Sequence, residues 1–227
     1  MNKLVQYDPI LITGAERSGA TFIARILDMC GVQSGRCNGM FENTQIITFN
    51  RQYLRQYLFG FPTIDVIRIP AHWREVIEKV LTTENMLETP WMVKSATLAR
   101  MWPVWNRYYP DAKWLIVRRR TGDVIQSCIK TGYMGEFKDP YNVRFVGGTK
   151  EEDGWLWWIH QYENKFVEMV QAGLNHKIIW PDRMVSGDYQ QIQEMVEWLG
   201  LKWNERIPEV INPLLKKSKE VIHENNS

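Results

Sequence analysis

Three positions, Gly14, Gly19 and Thr21, carry the plainest chemistry in the chain. Their G-x4-G-x-T spacing is that of a phosphate-binding loop, in which backbone N–H groups and a helix N-terminus face an anion. The apolar run Ile10-Leu11-Ile12 ahead of them predicts a buried strand. Behind them Thr21, Phe22, Ile23, Ile26 and Leu27 recur at helical spacing. Strand, glycine-bounded turn and helix start make an anion cradle, because the first helical N–H groups lack internal partners and the dipole favours negative charge. One position departs from the pattern of nucleotide triphosphatases. Ala20 stands where their loops carry lysine, and the positive charge sits inside the loop at Arg17. An ordinary tight turn, with Ser18 or Thr21 as helix cap, is the other reading of the same residues.

After a buried strand, Arg17-Ser18-Gly19-Ala20-Thr21 resembles the 5′-phosphosulfate loop of the sulfotransferases, which use 3′-phosphoadenosine 5′-phosphosulfate (PAPS) as donor. The resemblance implies that Arg17, Ser18, Gly19, Ala20 and Thr21 bind that donor. It continues through further stretches in the family's order, from Ile10 to Trp203. In the segment from Val117 to Ser127, Arg119 and Ser127 stand where the family holds the nucleotide's 3′-phosphate. A guanidinium fork suits a dianionic phosphate, and a hydroxyl one helical turn further on adds a donor. A solvated basic run closing a strand is the alternative.

Trp91-Met92-Val93-Lys94 is a candidate strand ending on a lysine, as in the tyrosylprotein-type and many bacterial sulfotransferases. Ala96 replaces the proline of their common Lys-x-Pro. By the resemblance, Lys94 would neutralise the transferring sulfuryl group; an exposed loop lysine is the plainer reading. The cytosolic Lys-Thr-His histidine is missing, since Lys94-Ser95-Ala96 occupies that stretch. Other branches use a glutamate after the first helix, and Glu42 in Phe41-Glu42-Asn43-Thr44 matches it, ahead of His72 and His160. A glutamate favoured by the dipole in a helix's first turn is an equal reading of Glu42. Residues 178–185 and 196–201 resemble the family's strand, Tyr-Glu-Asp-Leu segment and closing Phe-Leu-Gly helix.

These pieces must be positioned by alternating strands and helices. Strands are expected at 10–12, 91–94, 113–117 and 177–180. Helices are expected from 21, 44, 72, 98, 121, 155 and 189. The fold class implied is α/β, a P-loop-type parallel β-sheet with helices on both faces. At 227 residues the chain fits one domain, 1–227, with a helical insertion at about 44–82. The polar stretch 132–153 reads as a mobile loop, and the tail from about 217 as frayed.

A net charge of +2 is too small for a general nucleic-acid or membrane binder. Three cysteines, an odd number without metal-ligand spacing, suit a reducing, cytoplasmic setting. Trp155, Trp157 and Trp158 would either line an acceptor site or fill the core. The resemblance implies sulfuryl transfer from PAPS to a hydroxyl or amine. Stacking on those tryptophans would suit a carbohydrate or other small-molecule acceptor. No Asp or Glu ends the candidate strands, so no metal is expected. Arg17, Lys94 and Glu42 would carry the catalysis. A P-loop kinase and a non-catalytic nucleotide-binding module are the rivals. The kinase wants a lysine at Ala20 and an acidic metal ligand ending a strand.

Overall fold

Four short apolar segments pair into one parallel sheet: β1 (Ile10–Thr13), β2 (Met92–Lys94), β3 (Lys113–Val117) and β4 (His176–Ile179). Their order is β2-β1-β3-β4. The computed structural model describes residues 6–54, 69–132 and 135–211. Ile12 lies opposite Lys94, Thr13 opposite Ile116 and Val117 opposite Ile179, so the strands' C-terminal ends share one edge. The chain passes from β1 to β2 on one side and then crosses to β3 on the other. That reversal is a topological switch point, where ligands of open α/β sheets bind.

Strand alternation divides the core between the two faces. Leu11, Val93, Trp114 and Ile116 pack with α3 (Trp73–Thr83), α4 (Leu98–Tyr108) and α7 (Glu151–Gln171). Ile10, Ile12, Met92, Leu115, Val117 and Ile179 pack with α1 (Ala20–Met29) and α9 (Gln190–Trp198). Helices thus cover both faces, and such doubly buried strands read as the unbroken apolar runs seen in the sequence. Trp73, Trp91, Trp105, Trp114 and Trp155 are among the largest fully buried side chains. Trp73 meets Trp105 edge-on at 4.8 Å and stacks on Tyr108 at 5.3 Å.

α2 (Thr44–Arg51) and α3 lie between β1 and β2 in chain order. Residues 55–68 of the insertion and the tail from 217 fall outside the described residues. α5 (Thr121–Thr131) leaves β3 and closes at Gly132, whose φ of 55° suits glycine.

The stretch 132–153 is not the long loop its sequence suggests. A 3₁₀ turn at Glu136–Lys138 leads to α6 (Pro140–Phe145), and α7 begins at Glu151 rather than at Trp155. Asp139 caps α6 by accepting the Tyr141 N–H at 2.8 Å, with Pro140 in the first helical turn. Tyr141 and Phe145 are exposed, so α6 shows no inward apolar period. The first turn of α7 is acidic, and Asp153 accepts the N–H groups of Thr149 and Lys150 at 2.8 and 3.1 Å. β4 also starts one residue earlier than expected, at His176. Among the described residues, no helix is long and apolar enough to cross a membrane.

Candidate active site

β1 ends on Thr13, whose buried hydroxyl ties the strand to the turn after β2 and to the start of α4. It donates to the Ala96 carbonyl at 3.3 Å and accepts the Ala99 N–H at 3.1 Å. The Ser95 N–H donates to the Ile12 carbonyl at 3.0 Å. The turn after β2 is therefore fastened to the end of β1, and Lys94 is held beside the loop that follows.

That loop is shaped for close backbone packing. A Cβ on Gly14 would stand 2.4 Å from Ser18 Oγ and 2.5 Å from the Val117 carbonyl oxygen. Arg17 and Gly19 both take left-handed backbone, with φ of 65° and 96°. Gly19 is the N-cap of α1, and no side chain caps it, so neither Ser18 nor Thr21 plays the alternative role. The Phe22 and Ile23 N–H groups return to the Gly19 carbonyl at 2.9 and 3.5 Å, while the N–H groups of Ala20 and Thr21 ahead of them precede the first intrahelical bond. Ser18 Oγ is also buried without a hydrogen-bond partner, a costly state unless a ligand satisfies it. Ala20 is buried in the first turn and brings no charge.

Arg17 Nε donates to Ser127 Oγ at 3.0 Å, joining the loop to α5. Arg119 Nη1 lies 3.5 Å from the Arg17 carbonyl oxygen, and its Nε lies 3.4 Å from Asp182 Oδ1. Asp182 opens α8 (Asp182–Val185), directly after β4. Arg17, Arg119 and Ser127, assigned from sequence to two phosphate positions, thus form one connected group. The neighbouring arginines are engaged differently. Arg118 pairs with Glu163 and lies 5.0 Å over the Trp180 ring, while Arg120 is the exposed N-cap of α5.

Lys94 Nζ donates to Glu42 Oε1 at 3.1 Å. Both side chains are largely shielded, at 9% and 15% exposure. Asn38 shapes the turn that presents Glu42. Its Oδ1 accepts the Glu42 N–H at 3.1 Å, and its Nδ2 donates to Glu42 Oε2 at 3.3 Å. Phe41, just before Glu42, is left-handed at φ 59°. Asn43 rather than Glu42 caps α2, accepting the Ile46 N–H at 3.0 Å. Glu42 therefore lies outside the helix, and the reading of it as a first-turn glutamate is corrected. Lys94 is likewise buried at 7% exposure rather than an open loop lysine. His72 is exposed at the start of α3 and His160 is exposed on α7.

Trp155 and Trp158 are core residues, with Trp157 half-buried beside them. Trp155 packs edge-on against Phe137 at 5.1 Å. Trp158 reaches the loop instead, donating to Glu16 at 2.8 Å. Sequence reasoning missed Glu16, Asp182 and the buried Arg100. Only Glu16 left a signal, a negative charge inside an anion loop. Behind Ser127, burial pushes the Cys128 thiol up to about 12, followed by the nearby Glu16 charge. At neutral pH it stays a protonated core residue. Among the described residues no three His, Cys, Asp or Glu side chains cluster closely enough to hold a metal ion.

A parallel sheet with a phosphate-type loop leaving its inner first strand defines an α/β class whose ligands sit beyond the strands' carboxyl ends. Within that class the chain belongs to the Sulfotransferase family, whose sequence pattern matches residues 9–205. Among solved structures it is similar to sulfotransferase STF1 from Mycobacterium tuberculosis H37Rv, with a TM-score of 0.51 at 14% identity. That match covers 96% of this chain and 76% of the other. Sulfotransferase STF9 from Mycobacterium avium gives 0.54 at 12% identity, covering 92% and 68% respectively. At these identities the likeness is one of fold. No sequence among curated proteins matches the chain.

Proposed function

We propose that the protein is a PAPS-dependent sulfotransferase, moving a sulfuryl group to a hydroxyl or amine of a carbohydrate or other small-molecule acceptor. The observation that carries this reading is the shielded pair, 3.1 Å apart, of Lys94 at the end of the strand next to the loop and Glu42 in the turn before α2. It sets a fixed cation and a carboxylate beside an anion cradle.

The uncapped start of α1 and the orphaned Ser18 hydroxyl fit a phosphate-bearing ligand. Arg17, Ser18, Gly19, Ala20 and Thr21 would hold the donor's 5′ group through backbone N–H groups, the serine hydroxyl and the guanidinium. Arg119 and Ser127 would hold the 3′-phosphate, with Arg119 exchanging Asp182 for the ligand. PAPS supplies the activated sulfuryl group. Lys94 offers its ammonium to negative charge that develops on the transferring group's oxygens. Glu42 takes the acceptor proton, held in place by Lys94 and Asn38. The described cysteines Cys30, Cys37 and Cys128 are all free, which supports a reducing, cytoplasmic setting. The single-domain reading over 1–227 rests on the two core faces flanking one sheet.

The test is turnover of PAPS against a panel of hydroxyl and amine acceptors. The expected result is one sulfated product per nucleotide released, undiminished by excess EDTA. Phosphoryl transfer from ATP that EDTA abolishes and Mg²⁺ restores would make the protein a kinase instead.

A further inference from the structure

Glu16 has the wrong sign for its place. It sits in the loop that takes the donor's 5′ group, next to Arg17, and a carboxylate close to a bound phosphate repels it. The structure places that carboxylate against α7. Glu16 Oε2 accepts from Trp158 Nε1 at 2.8 Å, and Oε1 accepts from the Tyr162 hydroxyl at 2.9 Å. Trp158 and Tyr162 lie one helical turn apart on the same face of α7. Behind them stands Arg100, 3% exposed in the first turn of α4. Its guanidinium lies 4.6 Å over the Trp158 ring and 5.1 Å over the Tyr162 ring, and its Nη2 donates to the Tyr162 hydroxyl at 3.2 Å.

The tyrosine hydroxyl thus accepts from a cation and donates to an anion, and the tryptophan N–H fills the second carboxylate oxygen. A carboxylate suits this position better than an amide. It brings two acceptors to two donors and the opposite charge to a buried arginine. Burial is also the first cause raising the Tyr162 phenol well above its ordinary value, so this O–H stays a donor.

The anchored residue directly precedes Arg17, whose φ of 65° is disfavoured for any side chain with a Cβ. Such backbone persists where the surroundings over-determine it. On one side Glu16 is fixed to α7. On the other the Ser18 N–H donates to the Ala15 carbonyl at 3.1 Å. We propose that Glu16 is a positioning residue, a latch from the loop through Trp158 and Tyr162 to Arg100. It sets the backbone of Arg17 so that its guanidinium meets both Ser127 and the donor. Its negative charge is absorbed by Arg100, which leaves the loop's field to Arg17. This rests on the reading of the loop as the donor site.

A double-mutant cycle on the full chain tests it, with adenosine 3′,5′-bisphosphate as calorimetric probe and each unliganded melting temperature measured alongside. Glu16→Gln should weaken the probe about ten- to hundredfold, the range for losing a hydrogen bond to a charged group. In an Arg17→Ala background the same change should have little further effect, because the latch acts through Arg17. Tyr162→Phe should show the same coupling more mildly, and it decides the matter if Glu16→Gln does not fold. Equal losses in both backgrounds, or wild-type affinity in Glu16→Gln, would overturn the latch while leaving the donor site intact. A wild-type chain that does not bind the probe would overturn the donor site and the latch with it.

Discussion

Lys94 keeps 9% of its side chain exposed and Glu42 15%, so each holds its charge largely out of water. A buried ion pair adds little net stability, because desolvation offsets the attraction, and removing one partner costs about 3–5 kcal/mol. A pair kept under those terms at the strand-end edge is better explained by chemistry than by folding. Glu42→Gln keeps an acceptor for Lys94 but removes the proposed base. It should lower kcat by about 10²–10⁴-fold, the usual range for a general base, with donor affinity nearly unchanged. Steady-state kinetics with a matched nucleotide titration measures both. An unchanged kcat would return the role to His72 or His160. At this scale the candidate residues legible in the sequence were those with family spacing, Arg17, Lys94, Arg119 and Ser127. Glu42 was legible only as a resemblance, since nothing in Phe41-Glu42-Asn43 says that the chain turns back to Lys94. Asp182 and Arg100 were silent, because each reaches the site through contacts distant in sequence.

The turn carrying Glu42 is set by the start of α2 as a unit. Asn43 is 1% exposed, and it caps α2 while donating to the Ser34 carbonyl at 3.1 Å and to Glu84 Oε2 at 2.8 Å. Glu84 closes α3 and also accepts the Arg36 N–H at 2.8 Å, so two elements grip one loop. Asn43→Ala removes the cap and strands buried partners, which should cost about 1–3 kcal/mol in denaturant unfolding. Catalysis should fall with it, as Glu42 loses its support. A loss under about 0.5 kcal/mol would show that the turn stands without this grip. Elements buried on both sides of a parallel sheet were readable from sequence, since their apolar runs have no polar alternation to confuse them. α6 was not, because its exposed Tyr141 and Phe145 erase the period. Its Asp139-Pro140 start was nonetheless a cap signal in plain view. The start of α7 was hidden for a related reason: capping acids, not apolar residues, make its first turn.

Across the whole molecule, burial sets the response to alkali. The Cys128 thiol is pushed up to about 12, and the Tyr109 and Tyr162 phenols are raised, in each case chiefly by burial. Folded values above unfolded ones give stability that is fully present below the unfolded pKa. It is lost as the pH rises, because the unfolded chain releases these protons first. The urea midpoint should therefore fall steadily above the ordinary thiol value of 9.0. A midpoint flat from about pH 8 to about pH 11 would contradict this.

The sheet's switch point gathers the loop after β1, Lys94 at the end of β2 and Arg119 after β3 on one edge. On the proposed reading, Arg119 and Ser127 on that edge meet a 3′-phosphate of the ligand. Losing that contact should cost roughly 1.5–3 kcal/mol, about one to two decades in affinity. The most direct measurement is a thermal-shift titration ranking nucleotides, since a ligand bound only by the native state raises Tm. Adenosine 3′,5′-bisphosphate should stabilise the protein well above adenosine 5′-phosphate or ATP with Mg²⁺. Arg119→Ala should erase most of that preference, while Arg17→Ala should weaken all of them through the shared 5′ group. Greater stabilisation by ATP with Mg²⁺ than by the 3′-phosphorylated nucleotide would contradict PAPS as the donor.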